Sequence, residues 1–427
     1  MKVVLTPAKH LRGEVSLPGD KSITHRAMMI GAIAEGTTEV VGFSQAADPM
    51  STLSCLRALG VDARITGRSL FIRGRGLGKL AQPRSTLDAG NSGTTIRLLT
   101  GILAGQKFNS IITGDDSLRK RPMQRVIDPL TQMGARIEAT EGHTPPLKVF
   151  SADRLHGIDY EPPIPSAQVK SAILFAGLHA EGKTRIYEGV QTRDHTERML
   201  GLHVITSNGK KVIEVDGRKK MQARTFVVPG DISAASFFIV AACLVPNSEL
   251  HIVGVGLNPT RTAVLGVLRR MGANIVVEEK KTFEGEPVGN VTVRSSSLRN
   301  VEISPDLMPS LIDEIPALAI AGAVAKGRFE IRGASELRTK ESDRITSLSE
   351  NLKKLGVPME EYEDGFAFEG ENQLIPSGPL DSYGDHRIAM AMGVAALVAP
   401  KEVEILNAEC VDISFPRFWN LIKSLST

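Results

Sequence analysis

Six stretches decide how this chain folds: AIAEGTTEVVG (32–42), ILAGQKFNSIITG (102–114), LHAEGKTRIYEG (178–189), CLVPNSELHIVG (243–254), AVAKGRFEIRG (323–333) and ALVAPKEVEIL (396–406). Each closes an apolar, mostly alanine-rich run, turns on small or turn-forming residues and continues as a β-branched strand. Each therefore predicts a buried helix followed by a strand. The stretches recur at intervals of 65 to 80 residues, which points to one supersecondary unit used six times.

Five of the six are followed, at a nearly constant delay, by a second signature: LRALGVDARI (56–65), LTQMGARIEA (130–139), MLGLHVIT (199–206), LRRMGANIVV (268–277) and LKKLGVPMEE (352–361). Here a helix ends on Gly, which accepts the left-handed conformation at a helix C-terminus, and an alternating strand follows. The unit reads strand, helix, strand, helix, strand. So small a unit cannot bury its own apolar face, so units share cores, and three plus three is the expected grouping. The polar segment SNGKKVIEVDGRKKMQARTFVVPGD (207–231) marks a domain crossing near Gly230.

The 427 residues are 42% hydrophobic and 23% charged, and 51 Lys+Arg against 48 Asp+Glu leave a net charge of +3, which excludes a disordered or polyanion-coating chain. Aromatics at 4% supply few stacking platforms, so no nucleic-acid partner is expected. Cys55, Cys243 and Cys410 stand in neither a CxxC nor a Cys/His spacing, so a reducing cytoplasm is expected rather than a disulfide framework or a zinc site. The start, MKVVLTPAKHLRGE, has no apolar h-region. The longest apolar stretches, 234–246 and 388–400, hold 13 residues, short of the ~18 that span a bilayer, so a soluble protein with no membrane partner is expected.

A short polar cluster precedes each apolar helix: GDKSITHR (19–26), NSGTTIR (91–97), SAQVK (166–170), GDIS (230–233), SLIDEIP (310–316) and GDHR (384–387). The first helical turn leaves free N–H donors and a partial positive charge, so such residues cap the helix or hold an anion. Capping alone accounts for Asp231 and Asp385, and Asp313-Glu314 reads as an acidic first turn. Capping does not require a cation, yet Lys21, Arg26, Arg97, Lys170 and Arg387 stand beside the starts. A helix end contributes only ~0.3–1 kcal/mol towards an anion, and each charge-assisted hydrogen bond ~1.5–3 kcal/mol. Together they favour small, multiply charged anions. GDKS lacks the Gly that a Walker motif places directly before Lys, no GxGxxG opens a βαβ unit, and His195 and His386 have no partner at zinc spacing. TGDDSLRKRPM (113–123) and ELRTKESDR (336–344) are either solvated charged runs or further anion contacts.

In order along the chain stand LPGDKSITHRA (17–27), GNSGTTIR (90–97), SLRKRPM (117–123), SAQVKSAILFAGL (166–178), DEIPALA (313–319), ELRTKESDRI (336–345) and DHRIAMA (385–391). This set resembles the 5-enolpyruvylshikimate-3-phosphate synthase family over nearly the whole chain. GDKS, SAQVK, RDHTE (193–197) and NPTR (258–261) resemble its class II branch, often insensitive to glyphosate. The resemblance implies an α/β (α+β repeat) fold of two globular domains, each of three βαβαββ units, with helix N-termini facing an interdomain cleft. The expected domains are 20–229, on the phosphoshikimate side, and 1–19 plus 230–427, on the phosphoenolpyruvate and acid/base side. The implied reaction transfers enolpyruvyl from phosphoenolpyruvate to the 5-hydroxyl of shikimate 3-phosphate and releases phosphate, with no metal or organic cofactor.

Carried over by position, the resemblance puts Lys21, Ser22, Arg26, Ser166, Gln168, Arg193, Asp313 and Lys340 on shikimate 3-phosphate, with Thr192 an alternative to Arg193. It puts Lys21, Gly93, Arg121, Gln168, Arg344 and Arg387 on phosphoenolpyruvate, and gives the catalytic duties to Asp313, Glu341, Lys21 and Lys340. Three positions depart from the class I pattern: Glu336 replaces an Asn, Leu98 a Pro and Ile413 a Lys. Ser92, Leu98 and the class II motifs imply poor competition by glyphosate. A monomer is the family default. Two rivals share part of this reading. One is a UDP-N-acetylglucosamine enolpyruvyl transferase, which usually carries a Cys in the loop matching 113–122, where this chain has none. The other is a non-catalytic anion-binding repeat scaffold.

Overall fold

Six helices carry the apolar runs of the repeats: α1 (Lys21–Ile33), α2 (Gly93–Ala104), α3 (Ala167–Gly177), α4 (Ile232–Leu244), α5 (Ile315–Val324) and α6 (His386–Val398). The computed structural model describes residues 1–426. Beyond their first turns these helices are buried almost all round, and none has a solvent face of the kind an amphipathic surface helix needs. All six begin at the polar clusters. Asp20, Ser92, Ser166, Asp231 and Asp385 cap their helices by accepting a backbone N–H two or three residues on. The fifth start differs from the acidic first turn expected of it. Glu314 precedes α5 without capping it, and Pro316 in the first turn leaves one fewer N–H to satisfy.

The chain forms two compact units, one of Met1–Pro18, Pro229–Lys281 and the residues from Pro287 onward, the other of Gly19–Val228 with Thr282–Glu286. Each holds three of the six sheets, one per repeat. The plan is repeated. In the first sheet of the Gly19–Val228 unit the strand after α1, Glu35–Val41, pairs parallel with Thr225–Val227 and antiparallel with Ser69–Arg75, which pairs antiparallel with Asp62–Thr66. The sheets built on Ser110–Thr113 and Lys183–Glu188 repeat this order. The repeat therefore has one strand more than the periodicity suggested: a hairpin, not a single strand, follows the second helix. In the other unit Arg12–Ser16 joins the fourth sheet parallel to Glu249–Gly256, and Val3–Leu5 completes the sixth antiparallel to Val403–Leu406.

Gly60, Gly134, Gly201, Gly272 and Gly356, the glycines of the second signature, all have φ between 60° and 100°, where a Cβ would be strained. Gly101 serves close packing instead. A Cβ on it would lie 2.2 Å from the Ala172 carbonyl oxygen, so α2 and α3 approach backbone to backbone at that point. Gly101→Ala should cost ~1–3 kcal/mol through overpacking, although helix propensity alone favours Ala by about 1 kcal/mol. A denaturant midpoint at or above the parent's would show that the helices separate freely.

The tip of the hairpin formed by Asn274–Phe283 and Glu286–Arg294 belongs to the Gly19–Val228 unit. There Glu286 meets His195 Nδ1 at 2.7 Å, the Gly285 carbonyl accepts from Arg198, and Glu284 pairs with Arg224 at 2.9 Å. Among the described residues no single helix is long and apolar enough to cross a membrane.

Candidate active site

Within the Gly19–Val228 unit, side chains from the first turns tie the three helix starts together. Arg97 at the start of α2 donates to Gln168 Oε1 of α3 at 2.7 Å, and Gln168 Nε2 donates to Thr94 Oγ1 at 3.0 Å. Arg26 of α1 donates to Ser171 Oγ of α3 at 2.8 Å, to Thr196 Oγ1 at 2.7 Å and to the Ser22 carbonyl at 3.0 Å. Three positive helix ends thus share one face, with half-buried Ser22, Ser166 and Gln168 on it. Lys21 Nζ lies 2.9 Å from Asp48. Burial draws the Arg26 pKa down to about 10, opposed by Glu197 and Asp20, and the group keeps its charge at neutral pH.

Gly93 begins α2 where two guanidiniums crowd it: a Cβ would lie 2.6 Å from Arg97 Nη1 and 3.3 Å from Arg121 Nη1. Arg121 is buried, donates to Asn91 Oδ1 at 2.8 Å and to Ser117 Oγ at 3.3 Å, and leaves its Nε without a hydrogen-bond partner. Of the charged run 113–123, Arg121 turns inward, while Arg119 and Lys120 stay exposed. Arg193 sits half-buried on the loop 189–194.

Lys170 departs from its expected place among the anion-facing cations. Its Nζ is fully buried between Glu188 at 2.8 Å and Glu197 at 2.6 Å. Burial disfavours the ammonium, but the two carboxylates outweigh it and its pKa rises. A buried lysine needs counter-charges, and these two carboxylates supply them.

In the other unit Arg344 is the centre. Its Nε lies 2.7 Å from Asp385, its Nη2 2.7 Å from Glu341 and its Nη1 3.4 Å from Asp313. Burial opposes its charge, but Asp385, Glu341 and Asp313 raise its pKa well above the usual arginine value. Arg387, in the first turn of α6, donates to the Asp313 carbonyl at 3.0 Å and stands 3.6 Å from its carboxylate. Asp313 therefore lies between two guanidiniums. Ser233 at the start of α4 donates to Glu314, and Arg261 of the NPTR stretch donates to Ser233 at 2.6 Å and stands 3.5 Å from Asp231. Here too the three helix starts are gathered.

The run 336–344 divides. Lys340 pairs with Glu336 at 3.1 Å and Arg338 with Asp343 at 2.8 Å, as a surface salt-bridge run does, while Arg344 turns into the core. Asp385 caps α6 and also holds Arg344, a second duty that its capping position hid. Asp48 gave no signal beyond that of an acid in the first turn of Ala47–Ala58. Among the described residues no group of three or more His, Cys, Asp or Glu is placed to hold a metal ion.

The geometry offers two arrays of helix starts with cations beside them and, in one of them, Asp313 and Glu341 on a guanidinium that also holds Asp385, a set suited to binding phosphorylated acids and moving protons. The family model described as EPSP synthase (3-phosphoshikimate 1-carboxyvinyltransferase) matches residues 5–422. The chain belongs to this family. A 3-phosphoshikimate 1-carboxyvinyltransferase of Salinibacter ruber is 50% identical over 100% of both chains, and one of Thermoanaerobacter sp. (strain X514) is 49% identical, again over 100% of both. The EPSP synthase structure from Acinetobacter baumannii superposes with a TM-score of 0.87 at 42% identity, over 100% of this chain and 98% of that one. An enolpyruvyl transferase, NikO, from Streptomyces tendae shares the fold at a TM-score of 0.78 and 18% identity, over 99% of this chain and 96% of that one. The α/β two-domain fold and the transferase class stand with the family, and the UDP-N-acetylglucosamine alternative is not favoured.

Proposed function

We propose that the chain transfers the enolpyruvyl group of phosphoenolpyruvate to the 5-hydroxyl of shikimate 3-phosphate and releases phosphate. The hydroxyl oxygen adds to C2 of phosphoenolpyruvate as its proton leaves to a base and C3 gains a proton from an acid. Loss of a C3 proton and of phosphate then restores the vinyl group. Asp313 and Glu341 divide these proton transfers, assisted by Lys340 and Lys21. Lys21, Ser22, Arg26, Ser166, Gln168, Arg193, Asp313 and Lys340 hold phosphoshikimate. Lys21, Gly93, Arg121, Gln168, Arg344 and Arg387 hold phosphoenolpyruvate, where guanidiniums fork onto carboxylate or phosphate.

The observation that carries this reading is the pair Asp313 and Glu341 on the buried Arg344. Two carboxylates beside one fixed cation have the reach and charge for acid and base duties. The test is to incubate the protein with both substrates and measure inorganic phosphate. Release that requires both supports the reading, and none at all returns the protein to an anion-binding scaffold.

We propose a cytoplasmic monomer. Cys55, Cys243 and Cys410 are buried and unpaired, their thiols pushed up to about 12 by burial, which suits a reducing compartment. Glyphosate is expected to compete poorly, since Ser92 caps α2 and buried Leu98 stands where class I places Pro. The inhibition constant should lie above the phosphoenolpyruvate KM, and a value below it would overturn this expectation.

A further inference from the structure

We infer that Lys170 is a positioning residue for phosphoshikimate, acting through Arg26 and through the loop that carries Arg193; the inference rests on the reaction proposed above. Glu188 ends the strand Lys183–Glu188, and Glu197 lies in the helix His195–Leu200. By meeting both at 2.8 and 2.6 Å, the Lys170 ammonium fastens the two ends of the loop 189–194. Inside that loop the Thr192 N–H donates to Glu188 Oε1 at 3.3 Å, which fixes the residue beside Arg193.

The same triad reaches Arg26 through its chain neighbours. Ser171 follows Lys170 on α3 and Thr196 precedes Glu197, and their hydroxyls are 2.6 Å apart. These two hydroxyls are the side-chain partners of the Arg26 guanidinium, at 2.8 and 2.7 Å. Glu197 favours the charge of Arg26 as well as meeting Lys170. Without the ammonium, two buried carboxylates face each other and must separate or take up a proton. In either case strand, helix and loop lose their common tie. Stability alone gives little reason for such a triad, because well-packed apolar residues usually serve as well. One fixed geometry for two substrate-facing arginines gives a better one.

The test is Lys170→Met, with steady-state kinetics varied in each substrate and kcat normalised to the folded fraction. The KM for shikimate 3-phosphate should rise by at least ~10-fold, while kcat and the phosphoenolpyruvate KM stay within about threefold. A purely structural lysine would lower the folded fraction and Tm and leave both KM values unmoved, which would overturn the inference. Should Lys170→Met fail to accumulate folded, Glu197→Gln, which leaves the lysine its Glu188 partner, carries the same readout. A parent protein that releases no phosphate overturns the reaction and this inference with it. An active parent whose phosphoshikimate KM is unmoved by the variant that folds overturns this inference alone.

Discussion

Asp313→Asn is expected to lower turnover by ~10²–10⁴-fold, the range for one well-placed proton transfer, and to leave the fold intact. Asp313 stands 3.4 Å from Arg344 and 3.6 Å from Arg387, so its carboxylate lies between two cations. Arg344 keeps Asp385 and Glu341, each at 2.7 Å, when Asp313 becomes an amide, so its charge remains balanced. The Asp313 carbonyl still accepts from Arg387, since that contact is to the backbone. The substitution therefore removes a proton acceptor while these contacts of Arg344 and Arg387 remain. Steady-state rates with both substrates, set beside a thermal melt, measure the two consequences separately. A rate within a few-fold of the parent's would remove Asp313 from the proton transfers, whatever the melt shows.

The parts of this fold that the sequence displayed were those with local causes. Helix caps, a Gly after five of the six second helices and an apolar run before each β-branched strand recur because the repeats meet the same backbone problems, and Asp20, Ser92, Ser166, Asp231 and Asp385 all cap as their positions suggest. The extra hairpin strand did not show in the periodicity and entered only through the βαβαββ unit that the family resemblance implies. In the third repeat that strand is Lys210–Asp216, which lies inside the polar segment 207–231 read as a domain crossing. Direction was the other hidden quantity. A cation beside a helix start looks the same whether it faces a ligand or, as Lys170 does, two carboxylates 18 and 27 residues further along the chain. Asp385 and Arg344 are separated by 41 residues and meet only through the packing of two repeats, so neither spacing nor composition marks their contact. The inward turn of Arg344 out of an otherwise solvated run belongs to the same class of tertiary fact.

Arg344→Met should produce the largest combined loss. Asp385 is fully buried, and with the guanidinium gone its carboxylate would keep the N–H of Arg387 and the longer 3.5 Å approach of Ser342. Breaking a buried pair from one side costs ~3–5 kcal/mol, because the remaining charge is left uncompensated. At roughly 2–4 °C per kcal/mol for units of this size, the Tm should fall by about 6–20 °C. Activity should fall further than folding explains, since Asp313 and Glu341 would lose the cation that fixes both. Two further variants separate these effects. Arg344→Lys keeps a charge but cannot present three nitrogens to three carboxylates, so stability should recover in part while kcat/KM stays at least ~10²-fold down. Arg344→Met/Asp385→Asn removes the stranded charge, so its Tm should lie above that of Arg344→Met, with a coupling of ~0.5–3 kcal/mol in a double-mutant cycle and no return of activity. If the two substitutions instead lowered stability additively, the pair would not be the electrostatic unit its 2.7 Å geometry describes.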